Sequence, residues 1–277
     1  MSWTPREEKV WQDIENWEAR YFTYEPTDFE MTYERWINGQ LERMNPGVIE
    51  KLNQAIDTSL FHIHSFIQNS RQQMDLRQRL LTGARTFRED IETIEDMKRC
   101  TVDQLAFIAE QQIARNRLLS LAQGGLSGTG GLLFLGVDIP ALITIQVRSV
   151  QYIAMNYGYD IDRPSEMMMS LKVFHAATQP KRYQAESWRQ LLEEIQRERD
   201  PLFYEGDDTV ADLSWMSYPL KQGIKGMAIM LLRKKIVQGI PLFGIAFGAG
   251  MNYQQTRTIT EFAHKFYQKR FLLEKRG

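Results

Sequence analysis

The chain has 277 residues and a formal net charge of −1, with 34 Lys and Arg against 35 Asp and Glu. This balance argues against nucleic acid as a partner. Charged residues make up 25% and hydrophobic residues 43%, the usage of an ordinary globular protein. The single cysteine, Cys100, excludes a disulfide framework and suits a reducing compartment; we interpret it as an incidental surface thiol. Because acids and a proline occupy the first residues, where a signal peptide would need an apolar run, we expect a cytoplasmic protein.

Helix signals begin at the N-terminus. Residues 4–7 (TPRE) are a capping-box sequence with proline in the first turn, and Val10, Ile14 and Trp17 then recur on one face of a helix. Further helix starts are predicted at Asn45-Pro46, at Thr101 and, after a turn at Tyr157-Gly158, at Pro164. No stretch alternates between apolar and polar residues strongly enough to predict a strand. The sequence therefore predicts an all-α fold.

The last predicted helix spans 255–273. Its inward face is expected to carry Ile259, Phe262, Ala263 and Phe266, and its solvated face Arg257, Glu261, Lys265 and Lys269. His264 follows Glu261 at the spacing used in di-iron bundles, but such a centre needs a second copy of the motif and two more carboxylates. We therefore place His264 on the solvated stripe.

The two ends of the chain differ in charge. Residues 1–30 are mainly acidic and 257–277 mainly basic, and four of the six tryptophans fall before residue 37. We expect these ends to be solvated helix faces that dock on each other, with the tryptophans packed between helices.

Two long apolar segments are rich in glycine. Asp138 is the only charge in 118–147, and 236–256 has none. We predict that each forms a helical hairpin packed in the centre of a multi-helix bundle, with Gly124, Gly128, Gly244 and Gly248 at close helix crossings or tight turns. A hairpin that dips into or lies on a membrane is an alternative, and a membrane-spanning helix is another.

Polar residues inside these segments are the candidate site. Asp138 stands before Ile139-Pro140, as an N-cap would. Asn252 falls on an apolar helix face and needs an internal partner, so we predict that Asp138 and Asn252 lie within direct or one-water hydrogen-bonding reach. Arg148 is ten residues beyond Asp138 and must point to solvent or to another helix.

Three consecutive cations, Arg233, Lys234 and Lys235, separate two apolar stretches. They are candidate membrane contacts, because such a cluster can meet anionic headgroups while its flanks are buried. The alternative is a helix end that meets solvent. The glycine run 124–131 lacks the Lys and Ser/Thr of a phosphate-binding loop. We assign no catalytic residue, no cofactor and no metal.

The order of several short motifs resembles the EcsC family. They are the glycine run 124–131, Val137-Asp138-Ile139-Pro140, Tyr157-Gly158-Tyr159-Asp160, 241–244, Asn252-Tyr253 and 263–271. The resemblance covers about residues 100–275. It implies a bacterial protein whose family takes its name from an operon that encodes the ATPase and permease of an ABC transporter, linked to secretion and membrane physiology, and it implies no established enzyme activity.

The resemblance also suggests how the chain is organised. We interpret 1–45 as acidic, aromatic-rich N-terminal helices and 46–277 as an EcsC-like helical domain, with one continuous domain over 1–277 as the alternative. The expected function is that of a non-enzymatic, membrane-associated accessory protein whose partners are an ABC transporter, an anionic membrane surface, or both. A soluble helical scaffold, and an enzyme or lipid-binding protein with its site near Asp138, are the alternatives.

Overall fold

The computed structural model describes residues 3–23, 31–32, 70–127, 135–179, 181–197 and 244–276; for 70–73, 119, 121–127, 135–142, 197 and 244–252 it describes the backbone. Within these ranges the chain forms seven α-helices and no strand, which confirms the all-α prediction. The helices are α1 Pro5–Phe22, α2 Ser70–Arg85, α3 Val102–Ser127, α4 Leu135–Asn156, α5 Pro164–Thr178, α6 Lys181–Arg197 and α7 Gly244–Arg276, with a short 3-10 helix, Glu95–Arg99, before α3. The helix predicted at Asn45-Pro46 and the boundary at residue 45 lie outside the described residues.

Helices α1, α3 and α5 begin where the sequence signals predict. The Thr4 hydroxyl accepts a hydrogen bond from the Glu7 backbone N–H, and the Glu7 carboxylate accepts one from the Thr4 N–H at 2.9 Å. Thr101 and Gln104 form the same reciprocal pair at the start of α3. Such a pair satisfies N–H groups that a helix start otherwise leaves without partners.

Helix α7 is central, because α1, α3, α4 and α5 all pack against it. Ile259, Phe262, Ala263 and Phe266 are buried, as predicted. Lys269 was expected on the solvated face, but it is only 8% exposed. Helix α1 covers that side of α7, and Lys269 forms an ion pair with Glu18 of α1.

The acidic first helix and the basic end of α7 contact each other, as their charges suggest. Lys275 Nζ lies 2.6 Å from a Glu7 carboxylate oxygen. The Trp17 indole N–H donates to Glu261 at 2.8 Å, and the Trp3 indole N–H donates to the Leu272 carbonyl at 3.1 Å. Helix α1 is therefore an integral part of the packed bundle.

Hydrogen bonds fix the relative directions of α3, α4 and α7. Thr256 of α7 contacts both Ser120 of α3 and Gln146 of α4. Further along, His264 of α7 contacts Tyr157, the residue after α4, and Ser149 of α4 contacts Asn116 of α3. Helices α4 and α7 are therefore parallel, and α3 is antiparallel to both. The C-terminal end of α3 and the N-terminal ends of α4 and α7 meet at one end of the bundle. We call the backbone of 121–127, 135–145 and 244–255 the glycine-rich end.

The four glycines singled out in the sequence are partly placed by this arrangement. Gly124 lies inside α3, Gly244 is the first residue of α7, and Gly248 lies inside α7. Gly128 is outside the described residues. The close approach predicted at these positions stays a prediction.

Cys100 corrects an expectation from the sequence. We expected a surface thiol, but the side chain is only 1% exposed. Cys100 directly follows the 3-10 helix Glu95–Arg99, and its side chain lies in the core. Burial raises the pKa of the thiol, which keeps it in its unreactive protonated form.

Candidate functional site

Three layers of polar side chains lie between α3, α4 and α7, stepping away from the glycine-rich end. In the first layer, Thr256 Oγ1 donates to Ser120 Oγ at 2.8 Å and accepts from Gln146 Nε2 at 3.1 Å. All three residues are fully buried. Because buried polar groups are costly without partners, this layer fixes the register of the three helices.

The second layer joins α3 to α4. Asn116 Nδ2 donates to Ser149 Oγ at 2.8 Å, and Ser149 Oγ donates to the Ile145 carbonyl at 2.7 Å. Gln112 Nε2 donates to Asn116 Oδ1 at 3.1 Å. These hydroxyls and amides are engaged with one another, which is a structural use of buried polarity.

The third layer is a buried tyrosine–histidine pair. Tyr157 Oη and His264 Nε2 are 2.8 Å apart, and burial, reinforced by the nearby cations Lys265 and Arg117, lowers the pKa of His264 to about 3. Burial also raises the pKa of Tyr157 well above its usual value. At neutral pH the pair is therefore an uncharged imidazole and a protonated phenol.

The placement of His264 on a solvated stripe was wrong. The side chain is 9% exposed and faces α4, whereas Glu261 faces α1 and accepts a hydrogen bond from Trp17. Neighbouring helices cover both sides of α7, so residues three apart on it meet different partners. Among the described residues, no group of three or more His, Cys, Asp or Glu is arranged to hold a metal ion.

The predicted site residues Asp138 and Asn252 both lie in the glycine-rich end. Asp138 is not an N-cap, because α4 already begins at Leu135 and Asp138 lies in its first turn. From the contact between Gln146 and Thr256, Asp138 lies about 12 Å further along α4 and Asn252 about 6 Å further along α7, both towards the glycine-rich end of the bundle. Asp138 is therefore about 6 Å closer than Asn252 to that end. Their hydrogen bond stays a prediction.

Arg148, the third member of the predicted site, is half-buried beside the second polar layer, and burial lowers its pKa. It lies about 15 Å from Asp138 along the same helix, so the structure does not bring the two together. The cations Arg233, Lys234 and Lys235 are outside the described residues.

Sequence reasoning missed a set of arginines around Arg148. Arg115 and Arg117 of α3 and Arg257 of α7 lie at nearly the same level of the bundle, beside the first and second polar layers. The signal was present in the sequence. Arg117 is the last charge before one apolar segment, and Arg148 and Arg257 are the first charges after an apolar stretch. Only the helix register shows that these boundaries coincide in space.

A sequence profile of the EcsC protein family matches residues 8–272. The chain belongs to the EcsC protein family. The match begins in α1, so it extends well before about 100–275, the part of the chain that carries the motifs resembling the family. The family assignment therefore covers almost the entire packed bundle.

This EcsC-family chain is also similar to a protein of Bacillus subtilis (strain 168) described as "Uncharacterized protein YdbA". The two are 25% identical over 240 residues, which is 85% of this chain and 82% of the relative. No solved structure matches the chain. In the part of the chain that the structure describes, no helix is long and apolar enough to cross a membrane. The description of this relative assigns no activity.

Proposed function

We propose that this protein is a non-enzymatic, membrane-associated accessory protein that serves an ABC transporter or secretion system from the cytoplasmic face of the membrane. The observation that carries the proposal is the distribution of charge along the bundle. The glycine-rich end, built from three helices, carries Asp138 as its only charged residue. The described part of the bundle is therefore amphipathic along its length.

The opposite end of the bundle is crowded with ion pairs. Arg270 of α7 forms a bidentate, largely buried pair with Glu166 of α5 at 2.6 and 2.7 Å. Lys98 lies 2.7 Å from Glu274, and Lys275 pairs with Glu7. The partly exposed cations of the other two pairs, Lys98 and Lys275, suit water, whereas an apolar end suits a bilayer or an apolar protein surface. The contrast supports one end as the attachment site.

The transporter partner is the part of the proposal that rests on family membership. The EcsC family is named after an operon that also encodes the ATPase and permease of an ABC transporter. A protein that attaches to a membrane through its apolar end would present its charged end, and the groove beside Asp13 and Lys265, to the cytoplasmic parts of a transporter.

Fractionation of native cells tests this proposal. The protein should appear in the membrane fraction, remain there at high salt in part, and copurify with the ATPase or permease in mild detergent. An alkaline wash distinguishes a peripheral protein, which it releases, from an inserted one. Complete recovery in the soluble fraction, with no transporter subunit captured, would leave a soluble helical scaffold as the better account.

A further inference from the structure

We propose that the glycine-rich end inserts into one leaflet of an anionic bilayer, and that Arg115, Arg117, Arg148 and Arg257 bind lipid phosphates at its boundary. We call these four residues the arginine collar. The inference rests on the proposed membrane association and goes further, because it names the inserted end, its depth and the lipid chemistry that it contacts.

The polar layers give the height of each collar residue. Each collar residue follows the first-layer residue of its own helix in the direction away from the glycine-rich end. Arg257 is one residue from Thr256 and Arg148 is two residues from Gln146. On α3, Arg117 and Arg115 are three and five residues from Ser120. At 1.5 Å per residue, the collar occupies a slab of about 8 Å or less. This is comparable to the headgroup region of one leaflet.

The collar residues are spread around the bundle. Arg115 and Arg117 each lie about 100° around α3 from Asn116, which points inward, so they emerge on opposite sides of that helix. Arg148 precedes the buried Ser149 of α4, and Arg257 follows the buried Thr256 of α7. Arg115 and Arg257 are exposed, and Arg117 and Arg148 are half-buried. The exposed guanidinium groups of Arg115 and Arg257 can reach phosphates around the inserted helices. Arg117 and Arg148, whose Nε atoms are buried, would contact phosphates through their outer guanidinium nitrogens.

Few acids of the described parts of α3, α4 and α7 lie near the collar. In the described parts of the three helices, the nearest acids on the side of the collar away from the glycine-rich end are Glu261 and Glu110. Glu261 lies 3.9 Å from Arg257, and Glu110 lies about 15 Å from the first polar layer along α3. Leu118, the residue after Arg117 in α3, is 63% exposed. Arginines beside an exposed apolar side chain match the chemistry of a bilayer interface, where cations meet phosphates and apolar groups meet acyl chains.

The length of the glycine-rich end fits one leaflet. From the first polar layer, α4 continues for 11 residues to Leu135 and α7 for 12 residues to Gly244, or about 17–18 Å. The hydrocarbon of one leaflet is about 15 Å thick. Asp138 would lie in this layer, where a lone carboxylate is costly unless it is protonated or paired. A partner such as Asn252 would meet that need.

The test combines a depth probe with charge variants of the full-length protein. A Cys100→Ala background carries one environment-sensitive fluorophore at Ala141→Cys or Ala246→Cys in the glycine-rich end, or at Glu186→Cys in α6 as the control. The vesicles are phosphatidylcholine alone or phosphatidylcholine mixed with phosphatidylglycerol. We expect a blue shift and increased emission at both end positions, only with phosphatidylglycerol, and no change at residue 186.

The charge variants test whether the arginine collar is the part of the protein that contacts the lipid phosphates. Replacing all four collar arginines by Gln should weaken binding to the mixed vesicles about tenfold or more. The matched control replaces Arg88, Arg99, Arg163 and Arg189, which are exposed and lie away from the glycine-rich end, so that net charge changes equally. It should bind almost as well as the unmodified protein. Circular dichroism melts of both variants establish that each is folded before binding is compared.

The outcomes separate this inference from the proposed function. If the protein binds membranes but the probes at residues 141 and 246 stay in water, or if both charge variants bind equally, the insertion is wrong and peripheral association stands. If the protein does not bind the vesicles but native membranes that contain the transporter retain it, insertion is again wrong and the transporter role stands. A protein that binds neither the vesicles nor native membranes would overturn both the insertion and the proposed function.

Discussion

At the scale of single residues, the buried pair of Tyr157 and His264 makes the sharpest prediction. The unfolded imidazole has a pKa near 6.5 and the folded one a pKa of about 3. Between these values the unfolded state binds one more proton, so the free energy of unfolding should fall as pH falls, by at most about 1.4 kcal/mol per pH unit. His264→Gln should remove this part of the slope.

Chemical denaturation between pH 7 and pH 5 measures the slope above the range in which carboxylates titrate. His175 is the comparison, because burial also lowers its pKa. His175→Gln should therefore remove a separate part of the pH dependence of the free energy of unfolding. An unchanged pH dependence in His264→Gln would contradict the neutral buried imidazole.

Gly158 gives a second prediction at this scale. Its φ is +84°, and a Cβ there would lie 2.5 Å from Lys98 Cγ. Gly158→Ala should therefore lower the free energy of unfolding by about 1–2 kcal/mol or more. Gly83→Ala is the matched control: it lies inside α2, its Cβ would meet Ile108 at 4.0 Å, and it should be neutral or stabilising by about 0.5–1 kcal/mol. The midpoints of urea denaturation of the two variants provide the comparison. Equal effects of Gly158→Ala and Gly83→Ala would contradict the constraint at Gly158.

Sequence reasoning succeeded for residues whose role is local. The capping residues Thr4 and Thr101 and the turn at Gly158 depend on neighbours within a few positions, so their spacing predicts them. It failed for His264 and Cys100, whose burial depends on elements distant in sequence. Helical periodicity places a residue on a face of its own helix, but it does not say how many neighbours cover that helix.

At the scale of elements, the attachment of α1 is held by an aromatic cluster. Trp17 packs at ring-centre distances of 5.3 Å from Trp188 of α6 and 6.4 Å from Phe262 of α7. Glu18 accepts from the Trp188 indole at 2.8 Å and pairs with Lys269. One helix turn of α1 therefore joins α6 and α7.

Trp17→Ala should lower the free energy of unfolding by roughly 3–5 kcal/mol, because it removes a buried ring and leaves a cavity. Trp11→Ala is the control on the same helix, since Trp11 is half-exposed, and it should cost clearly less. Thermal melts of both variants provide the comparison. A small loss for Trp17→Ala, no larger than that for Trp11→Ala, would mean that α1 is not part of the cooperative fold.

The glycines of α7 make a separate prediction. If helices approach closely at Gly244 and Gly248, replacing either by Leu should overpack the contact and cost roughly 1–3 kcal/mol. Gly→Ala at each position is the milder control. Unchanged melting temperatures in both leucine variants would show that these positions face open space.

Helix positions were largely predictable because capping signals and periodicity are properties of short segments. The pairing of α3, α4 and α7 was not, since it depends on contacts such as those of Thr256 with Ser120 and Gln146, more than a hundred residues away in sequence. The arginine collar was missed for the same reason. Arg117, Arg148 and Arg257 each border an uncharged stretch of the sequence, and with Arg115 they become one feature only in the assembled bundle.

At the scale of the whole molecule, two sets of cations are candidates for membrane contact. The sequence pointed to Arg233, Lys234 and Lys235, and the structure points to the arginine collar. Replacing the three consecutive cations by Gln should weaken vesicle binding if that cluster contributes, since each cation near an anionic leaflet is worth about 1 kcal/mol. Unchanged binding in this triple variant, measured by cosedimentation beside the collar variant, would leave the collar as the contact.

The central claim is that this EcsC-family protein attaches to a membrane through its apolar end. Flotation of the purified, full-length protein with phosphatidylglycerol-containing vesicles tests it most directly, over a series of salt concentrations. We predict that the protein floats with the vesicles at low salt and that the bound fraction decreases as salt screens the contacts between arginine and phosphate. Protein that stays at the bottom of the gradient at every salt concentration, in a folded state, would contradict the claim.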